Sequence, residues 1–341
     1  MPQQRITRLR NLAWMLVGLY LSESIHLRRI AARLPLPARL LSTTRRFRRF
    51  LNNRAFRPRV WYRPLAERLL RQAARTGPLR LLVDGSKVGA GHQLLMVGLA
   101  YHKRALPIAW TWVKGARGHS GSRKQCALLA YVHKLLPPDA SVILAGDSEF
   151  GSVAVLQRLE RWGWQYVLRQ KGNTLACVSH QAFLWQRLDS LIPEKGETFF
   201  YEHVILTRQH LYHTHLLTRW ERGQTLPWLL ATNMDDAQQA LRIYRRRMWI
   251  EELFGDWKGQ GFDLERSHLR HFRRLSRLTF ILSLLYLWLI SRGSQVIKSG
   301  KRLLVDRPGR RDLSIFRIGL YSIHRFCAHS SNFGIRLVPY F

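Results

Sequence analysis

Between residues 79 and 169 the chain alternates between short apolar runs and amphipathic stretches, and the order of these segments constrains the fold more than any other feature. The apolar runs Leu79–Val83, Leu94–Leu99 and Ala105–Val113 come first and have the length and composition of strands. After them the pattern predicts, in order, helix 124–136, strand 141–147, helix 153–161 and strand 164–169. This β-β-β-α-β-α-β succession predicts an α/β fold with a mixed sheet flanked by helices.

The segments after this core change character twice. Residues 172–232 alternate apolar and polar side chains and are predicted to be rich in strands, whereas residues 235–292 have a helical pattern. The apolar run Leu278–Ile290 has about thirteen residues, fewer than the roughly 20 that cross a membrane, so we expect a buried helix and no membrane partner. We expect the helical C-terminal region to end in a basic tail at 293–341.

The charge of the chain is strongly unbalanced. Lys and Arg number 56 and Asp and Glu number 21, so the net charge is +35. A globular protein with this surplus repels itself unless it works against a polyanion. The surplus argues against an ordinary small-molecule enzyme and favours nucleic acid as the partner, with an anionic membrane surface as the alternative.

The first part of the chain is rich in arginine and has few acids before Asp84. Apolar residues recur at helical spacing in 27–34 and again in 40–51, and prolines separate the two segments. A short helix, a Pro-containing turn and an Arg-rich second helix are typical of a helix-turn-helix, whose second helix enters the major groove. We therefore predict an all-α DNA-binding domain at 1–77. Its predicted DNA contacts are Arg45, Arg46, Arg48 and Arg49. A solvated basic helix that does not recognise sequence is the alternative.

Two acids directly follow apolar strands. Asp84 comes after Leu79–Val83, and Asp147 comes after the strand that begins at 141. A rigid strand end can hold a divalent ion, and carboxylates are the hard oxygen ligands that Mg²⁺ prefers. Each acid also has a plain structural alternative, since Asp84 with Gly85 could begin a turn and Asp147 could cap the next helix.

A third acid lies in a segment where charged and aromatic residues share one helix face. At ~100° per residue on a continuous helix, Tyr244, Arg247, Glu251 and Lys258 fall at roughly 0°, 300°, 340° and 320°, a stripe about 60° wide. A structural ion pair between Arg247 and Glu251 explains two of the four residues. A metal-bound glutamate flanked by phosphate-binding groups explains all four.

The sequence resembles the DDE transposases of bacterial insertion sequences, specifically the group with a Tyr-x2-Arg-x3-Glu-x6-Lys signature (insertion sequence family four). The four residues of the stripe reproduce that signature without a gap. The first acid of the family matches in Leu82–Lys87 and the second in Ala145–Gly151. The resemblance covers residues 78–292. One departure is Glu149, which stands near the second acid where many members have a basic residue or Gly.

The resemblance implies an RNase H-like catalytic domain at 78–292 with a β-rich insertion at about 172–232. It implies a transposase that performs cut-and-paste transposition by Mg-dependent phosphodiester hydrolysis and strand transfer at transposon ends. Two Mg²⁺ ions, for which Mn²⁺ can substitute, are the implied cofactor. The implied catalytic and metal-binding residues are Asp84, Asp147 and Glu251. The implied phosphate-binding residues are Tyr244, Arg247 and Lys258.

The implied partners are double-stranded DNA, as inverted-repeat ends and as target, and a second copy of the chain when two ends are brought together. No export cleavage site follows the apolar run at 12–21, so we expect a cytoplasmic, nucleoid-associated protein. Two alternatives remain. One is a catalytically silent DNA-binding relic of a transposase, and the other is a basic structural protein of a ribonucleoprotein, which explains the charge but not the stripe.

Overall fold

The structure is a computed structural model that describes residues 5–89, 91–115, 120–178, 184–266, 269–329 and 335–341. It begins with four helices: α1 (Ile6–Ser22), α2 (Leu27–Ala32), α3 (Leu40–Asn52) and α4 (Pro58–Ala74). The predicted short helix, turn and Arg-rich helix are present as α2 and α3. Gly18 lets α1 lie directly against α2, because a Cβ there would come within 2.7 Å of Ile30 Cγ2.

The predicted β-β-β-α-β-α-β order follows these helices. Its elements are β1 (Leu79–Val88), β2 (His92–Tyr101), β3 (Arg104–Lys114), α5 (Ser122–His133), β4 (Val142–Gly146), α6 (Val153–Arg161) and β5 (Gln165–Arg169). Strands β1, β2 and β3 form antiparallel hairpins, whereas β4 is parallel to β1 and β5 is parallel to β4. His102 and Lys103 both have positive φ in the tight β2–β3 turn, as a two-residue hairpin of the right twist requires.

Within its described residues, the segment predicted to be β-rich contains five more strands. They are β6 (Leu175–Cys177), β7 (Trp185–Arg187), β8 (Thr198–Leu206), β9 (Tyr212–Arg219) and β10 (Trp228–Thr232). Because β10 pairs with β5, these strands extend the first sheet instead of forming a second one. The result is a ten-stranded mixed sheet in the order β3-β2-β1-β4-β5-β10-β9-β8-β6-β7.

Helices cover this sheet and tie the ends of the chain to it. They are α7 (Ala237–Arg245), α8 (Met248–Trp257), α9 (Phe272–Lys298) and α10 (Ile315–His329). Helix α9 packs on β3 and also contacts α1, α3, α4 and α10. The predicted boundary at 292/293 falls inside α9, and the tail, which has no clear sequence period, contains α10. Gly293 and Gly319 allow the close crossing of α9 and α10, because a Cβ on either would overlap the backbone of the other helix.

Within the described residues one helix, α9, is long and apolar enough to cross a membrane. The buried share of its most apolar window is 72%. The apolar run Leu278–Ile290 thus lies in a helix that is buried inside the protein, as expected, although the helix extends well beyond the run.

Candidate active site

Two of the predicted acids are neighbours across a parallel strand pair. Val83 of β1 lies in register with Gly146 of β4, so the residues that follow them, Asp84 and Asp147, are adjacent. The prediction that Asp84 ends its strand is wrong. Strand β1 continues to Val88 because β2 pairs along it, with Asp84 opposite Met96, and it is β4 that ends. Asp84 therefore lies within a rigid strand and does not begin a turn.

The Asp84 carboxyl is buried beside other charges. Its Oδ1 accepts a hydrogen bond from the Gly85 N–H at 2.7 Å, and its Oδ2 lies 3.5 Å from Arg247 Nη1. Burial raises the pKa of Asp84 to about 7; the Arg247 guanidinium and the Gly85 N–H lower it, while the charges of Asp147 and Glu251 raise it further. All three predicted carboxylates are thus close enough to interact.

Asp147 also has the capping role that its sequence position allows. Its Oδ1 accepts a 2.6 Å hydrogen bond from the Glu149 N–H and begins the 3₁₀ turn Ser148–Phe150. Asp147 is only half-buried, so the cap does not remove it from solvent. The sequence leaves cap and metal ligand open as alternatives, and the structure shows the cap without excluding the ligand.

Glu149, the departure from the family pattern, has a clear structural task. Its carboxylate accepts hydrogen bonds from Gln93 Nε2 at 2.9 Å and from the backbone N–H and hydroxyl of Ser120, the former at 2.6 Å. Gln125 Nε2 donates to the Glu149 carbonyl at 2.9 Å. Glu149 therefore joins β2, α5 and the segment before α5 to the strand end that holds Asp147.

The four signature residues do not lie on one continuous helix, so the single-stripe prediction is wrong. The chain turns at Arg246–Arg247, between α7 and α8, with i→i−3 hydrogen bonds such as Arg247 N–H to Tyr244 O. Helix α7 packs on β4 and β5, whereas α8 packs on β1, β2 and β3. The turn thus crosses from the β4 side of the sheet to the β1 side, which brings it to the two aspartates.

Arg247 connects the helices to the strand. Its Nη1 lies 2.6 Å from Glu251 Oε1 as well as 3.5 Å from Asp84 Oδ2, and its guanidinium lies 5.8 Å from the centre of the Tyr244 ring. The Glu251 side chain keeps 43% of its surface exposed, whereas that of Arg247 keeps 12%. The structure therefore brings Tyr244, Arg247 and Glu251 together with Asp84.

Tyr244 and Lys258 have different surroundings. Tyr244 is buried, packs edge-on against Trp228 and has a hydroxyl pKa that burial raises. Lys258 follows the last residue of α8 with non-helical ψ, and its Nζ lies 2.7 Å from Glu265 Oε1. The Lys258 ammonium is therefore engaged by a carboxylate outside the predicted triad.

The carboxylates of Asp84, Asp147 and Glu251 have the right chemistry for a divalent cation, but their side chains are not arranged around one. Among the described residues, no group of three or more His, Cys, Asp and Glu is arranged to hold a metal ion. Glu251 is instead paired with Arg247. Yet the carboxylates are hard oxygen donors, and the charges of Asp147 and Glu251 add to the burial that raises the pKa of Asp84, so a cation beside Asp84 would favour its charged form. The residues fit such an ion once Glu251 turns from Arg247.

The predicted DNA-contacting arginines all lie on α3. Arg45, Arg48 and Arg49 are exposed, whereas Arg46 is half-buried and its guanidinium lies 5.4 Å from the centre of the Phe47 ring. Phe47, Phe50 and Leu51 form the opposite, buried face of the helix. The structure separates Arg45, Arg48 and Arg49 from the apolar face of α3, as an amphipathic surface helix requires, whereas Arg46 borders that face.

Sequence reasoning missed a second charged cluster, which holds α8 in place. Arg104 of β3 lies 2.7 Å from Asp256 Oδ2 and 3.0 Å from Glu252 Oε2, and the Tyr286 hydroxyl donates to Asp256 Oδ2 at 3.2 Å. Arg104 follows a hairpin turn and lies 152 positions from Asp256 in the chain. The only sequence signal was an aspartate on an otherwise apolar part of α8.

The fold and site together define a class of protein. It is a strongly basic α/β protein in which carboxylates and an arginine cluster beside the parallel strand pair β1 and β4. The sequence model described as "Transposase DDE domain" matches residues 75–288, so the chain belongs to that transposase family. The predicted membership among DDE transposases is confirmed, and the matched range agrees closely with the predicted 78–292. The narrower signature group stays a prediction.

Two further comparisons complete this result. No curated protein matches the sequence. A similar solved structure is the cryo-electron microscopy structure of a piggyBac transposase synaptic complex with hairpin DNA, with a TM-score of 0.48 and 12% identity, over 97% of this chain and 74% of the other. Family membership rests on the sequence match.

Proposed function

We propose that the chain is a DNA transposase that performs cut-and-paste transposition of an insertion sequence, by phosphodiester hydrolysis and strand transfer at the transposon ends. The catalytic region is an RNase H-like domain at 78–292 with an insertion at about 172–232. The observation that supports the proposal most is the buried Asp84 carboxyl, whose neighbours are Asp147, Glu251 and Arg247. A structural ion pair needs no third carboxylate in this place.

On this proposal Asp84, Asp147 and Glu251 hold Mg²⁺, with Mn²⁺ as a substitute. Divalent ions of this kind activate the attacking water or 3′-hydroxyl and stabilise the leaving oxygen. The protein supplies rigidity: Asp84 is fixed within β1, and the Glu149 hydrogen bonds hold the segment that follows Asp147. Rigid donors keep the scissile phosphate in a reactive orientation.

Cationic and phenolic side chains orient the DNA backbone in this proposal. Glu251 would hold the ion in place of its pairing with Arg247, and the planar Arg247 guanidinium would then be free to bind a phosphate through two hydrogen bonds. Tyr244 supports the Arg247 guanidinium from beside it. Lys258 reaches a phosphate only by leaving Glu265.

The partner is double-stranded DNA, consistent with the net charge of +35. Residues 1–77 supply the end recognition, and two copies of the chain act together when two ends are joined. The place of action is the nucleoid in the cytoplasm. The second candidate is a catalytically silent relic that binds DNA.

The test is strand cleavage of the element's end DNA by the purified protein with Mg²⁺. Wild type should cleave, while Asp84→Ala, Asp147→Ala and Glu251→Ala should bind the same DNA without cleaving it. Wild type that binds the ends but does not cleave supports the relic. Equal cleavage by wild type and the three variants shows that the carboxylate assignment is wrong. Inverted repeats in the DNA that flanks the reading frame identify the substrate.

A further inference from the structure

Helices α5 and α6 lie side by side and form a groove of about 460 Å³ on the protein surface. Three arginines line this groove, and none of its described lining residues is acidic. They are Arg123 of α5 and Arg158 and Arg161 of α6, and all three side chains are exposed. We call this surface the α5–α6 groove.

The charges of these arginines are not balanced by nearby acids. Within the part of the chain that the structure describes, none of the three forms an ion pair with a carboxylate. Helix α5 contains no Asp or Glu, and Glu160 of α6 is not among the lining residues. Gln157, Arg158 and Arg161 share one face of α6 because they are three or four positions apart. Like charges gathered in this way repel one another, and a polyanion in the groove relieves the repulsion.

The rest of the groove is lined mainly by small side chains. They include Cys126 and Ala127 of α5 and Ala154 of α6. Cys126 Sγ lies 3.7 Å from the Ala154 carbonyl oxygen, so the two helices touch there. Small side chains at this contact leave the space between the arginines open to a ligand.

The groove begins beside the strand end that carries Asp147. Near the start of α5, Gln125 Nε2 donates to the Glu149 carbonyl at 2.9 Å, and α6 begins a few residues after Glu149. At the other end, His133 of α5 stacks on Trp162, the residue that follows α6, with ring centres 4.5 Å apart. The two helices therefore run parallel, and the groove leads away from the candidate active site.

The length of the groove suits a DNA strand better than a single small anion. Helix α6 has nine residues and is therefore ~14 Å long. One strand of B-DNA carries one negative charge per ~3.4 Å of helix axis, so about four phosphates face a helix of this length. Three exposed guanidinium groups can contact three of these phosphates.

We propose that the α5–α6 groove binds backbone phosphates of the DNA that continues beyond the cleavage site, outside the transposon end. The inference rests on the proposed function, in which residues 1–77 recognise the end and the carboxylates cut beside it. DNA that passes Asp147 and lies beyond the recognised end meets the start of the groove. This DNA is the donor flank before cleavage and the target afterwards, and both offer the same phosphate backbone.

The experiment measures binding of the full-length protein to end duplexes with and without flanking DNA, over a range of salt concentrations. No divalent ion is added, so nothing is cleaved. Arg123→Gln, Arg158→Gln and Arg161→Gln should each weaken binding of the flanked duplex about threefold, since each removes one solvent-exposed ionic contact. Each should also lower the slope of log K against log salt by about 0.9, the value for one released counterion. Binding of the duplex without a flank should not change.

A second arm distinguishes the two sources of DNA. The protein is first bound to end DNA without a flank, and its association with a separate mixed-sequence duplex is then measured. Loss of affinity in the flanked arm alone assigns the groove to the donor flank, and loss in the second arm alone assigns it to the target. Either result supports the proposal.

The matched control is Lys134→Gln, which removes one exposed positive charge at the end of α5 outside the groove. Its slopes should stay near those of wild type. The proposal is overturned if the three groove variants have the same slopes as Lys134→Gln, or if they lose equal affinity with and without a flank. Failure of the proposed function looks different, because wild type then shows no preference for end DNA over mixed-sequence DNA. A normal end preference with unchanged slopes contradicts only the groove.

Discussion

Helix α8 contacts two charged clusters that have the same composition and different chemistry. Each contains one largely covered arginine, one buried aspartate and one half-exposed glutamate. The clusters are Arg247 with Asp84 and Glu251, and Arg104 with Asp256 and Glu252. The glutamates are consecutive in the sequence, with 43% and 50% of their side chains exposed. Each cluster thus has one positive charge against two carboxylates, and the clusters differ in how closely the arginine pairs with its aspartate and in the further carboxylate, Asp147, near Asp84.

The buried ion pair is short and well hydrogen-bonded in the Arg104 cluster, whereas in the Arg247 cluster it is longer and a further carboxylate lies nearby. Arg104 Nε lies 2.7 Å from Asp256 Oδ2, and Tyr286 donates a further hydrogen bond to the same oxygen. Arg247 lies 3.5 Å from Asp84, and Asp147 adds a further negative charge there. Burial raises the pKa of Asp256 to about 6 and that of Asp84 to about 7. A short ion pair with complete hydrogen bonds is typical of a structural cluster, and surplus carboxylate is typical of a functional one.

The largest expected difference between the clusters is in strand cleavage when each of the two adjacent glutamates is substituted. Glu251→Gln should lower strand cleavage at least about a thousandfold, because on the proposed function it removes an ion ligand, and such ligands contribute several kcal/mol to transition-state stabilisation. Glu252→Gln should stay within about threefold of wild type, since it weakens only a half-exposed ion pair. Single-turnover cleavage of end DNA measures both variants. The two substitutions are chemically identical and one residue apart, so each controls for the other. Equal losses in both variants contradict the division into a functional and a structural cluster.

The next effect is on stability, and here the Arg104 cluster should matter more than the Arg247 cluster. Arg104→Gln should lower the free energy of unfolding by about 3–5 kcal/mol at pH 8, because it leaves the Asp256 carboxylate buried without its partner. The loss should be smaller at pH 5. The pKa of Asp256 in the folded protein is about 6, above its ordinary value of 3.8, so folding favours the protonated carboxyl. The stability from this protonation is fully present in acid and is lost as the pH rises through 6. Urea denaturation at both pH values measures the change.

Arg247→Gln is the matched comparison for that measurement. It leaves Glu251, which is half-exposed and can be hydrated, and Asp84, which can take up a proton near neutral pH. Its loss of stability at pH 8 should therefore be clearly smaller than that of Arg104→Gln. If Arg247→Gln is the less stable variant, Arg247 is a structural residue and the distinction between the clusters fails.

Local sequence signals account for the strands and the aspartates but not for the geometry around α8. The apolar runs predicted the strands that carry Asp84 and Asp147, because alternation and length are local properties. The turn at Arg246–Arg247 has no such signal, since the segment contains neither Gly nor Pro. The turn forms because α7 packs on β4 and β5 while α8 packs on β1, β2 and β3. Tertiary packing of this kind overrides local helical preference.

Long-range pairs were equally hidden. Arg104 reads as an exposed charge after a hairpin turn, yet it is 8% exposed and pairs with Asp256 on a helix far along the chain. Lys258 has the signature spacing, yet the end of α8 directs it to Glu265. The continuous sheet depends on pairing between β5 and β10, which apolar alternation alone does not specify. Motif spacing can thus predict which residues meet, while the partner of each charge depends on packing.

The smallest expected effect is on thermal stability in the presence of Mg²⁺. If only the Asp84 cluster holds the ion, Mg²⁺ at ten times its dissociation constant should stabilise wild type by about 1.4 kcal/mol, which raises the unfolding midpoint by on the order of 2 °C. Glu252→Gln should respond like wild type, because Glu252 pairs with Arg104 and lies outside the Asp84 cluster. Asp84→Asn should not respond, since it lacks the buried carboxylate at the centre of the surplus charge. Scanning calorimetry at matched ionic strength separates ion binding from screening. If Mg²⁺ raises the unfolding midpoint of wild type and of Asp84→Asn equally, the ion binds elsewhere. Ion binding then does not distinguish the Asp84 cluster from the Arg104 cluster.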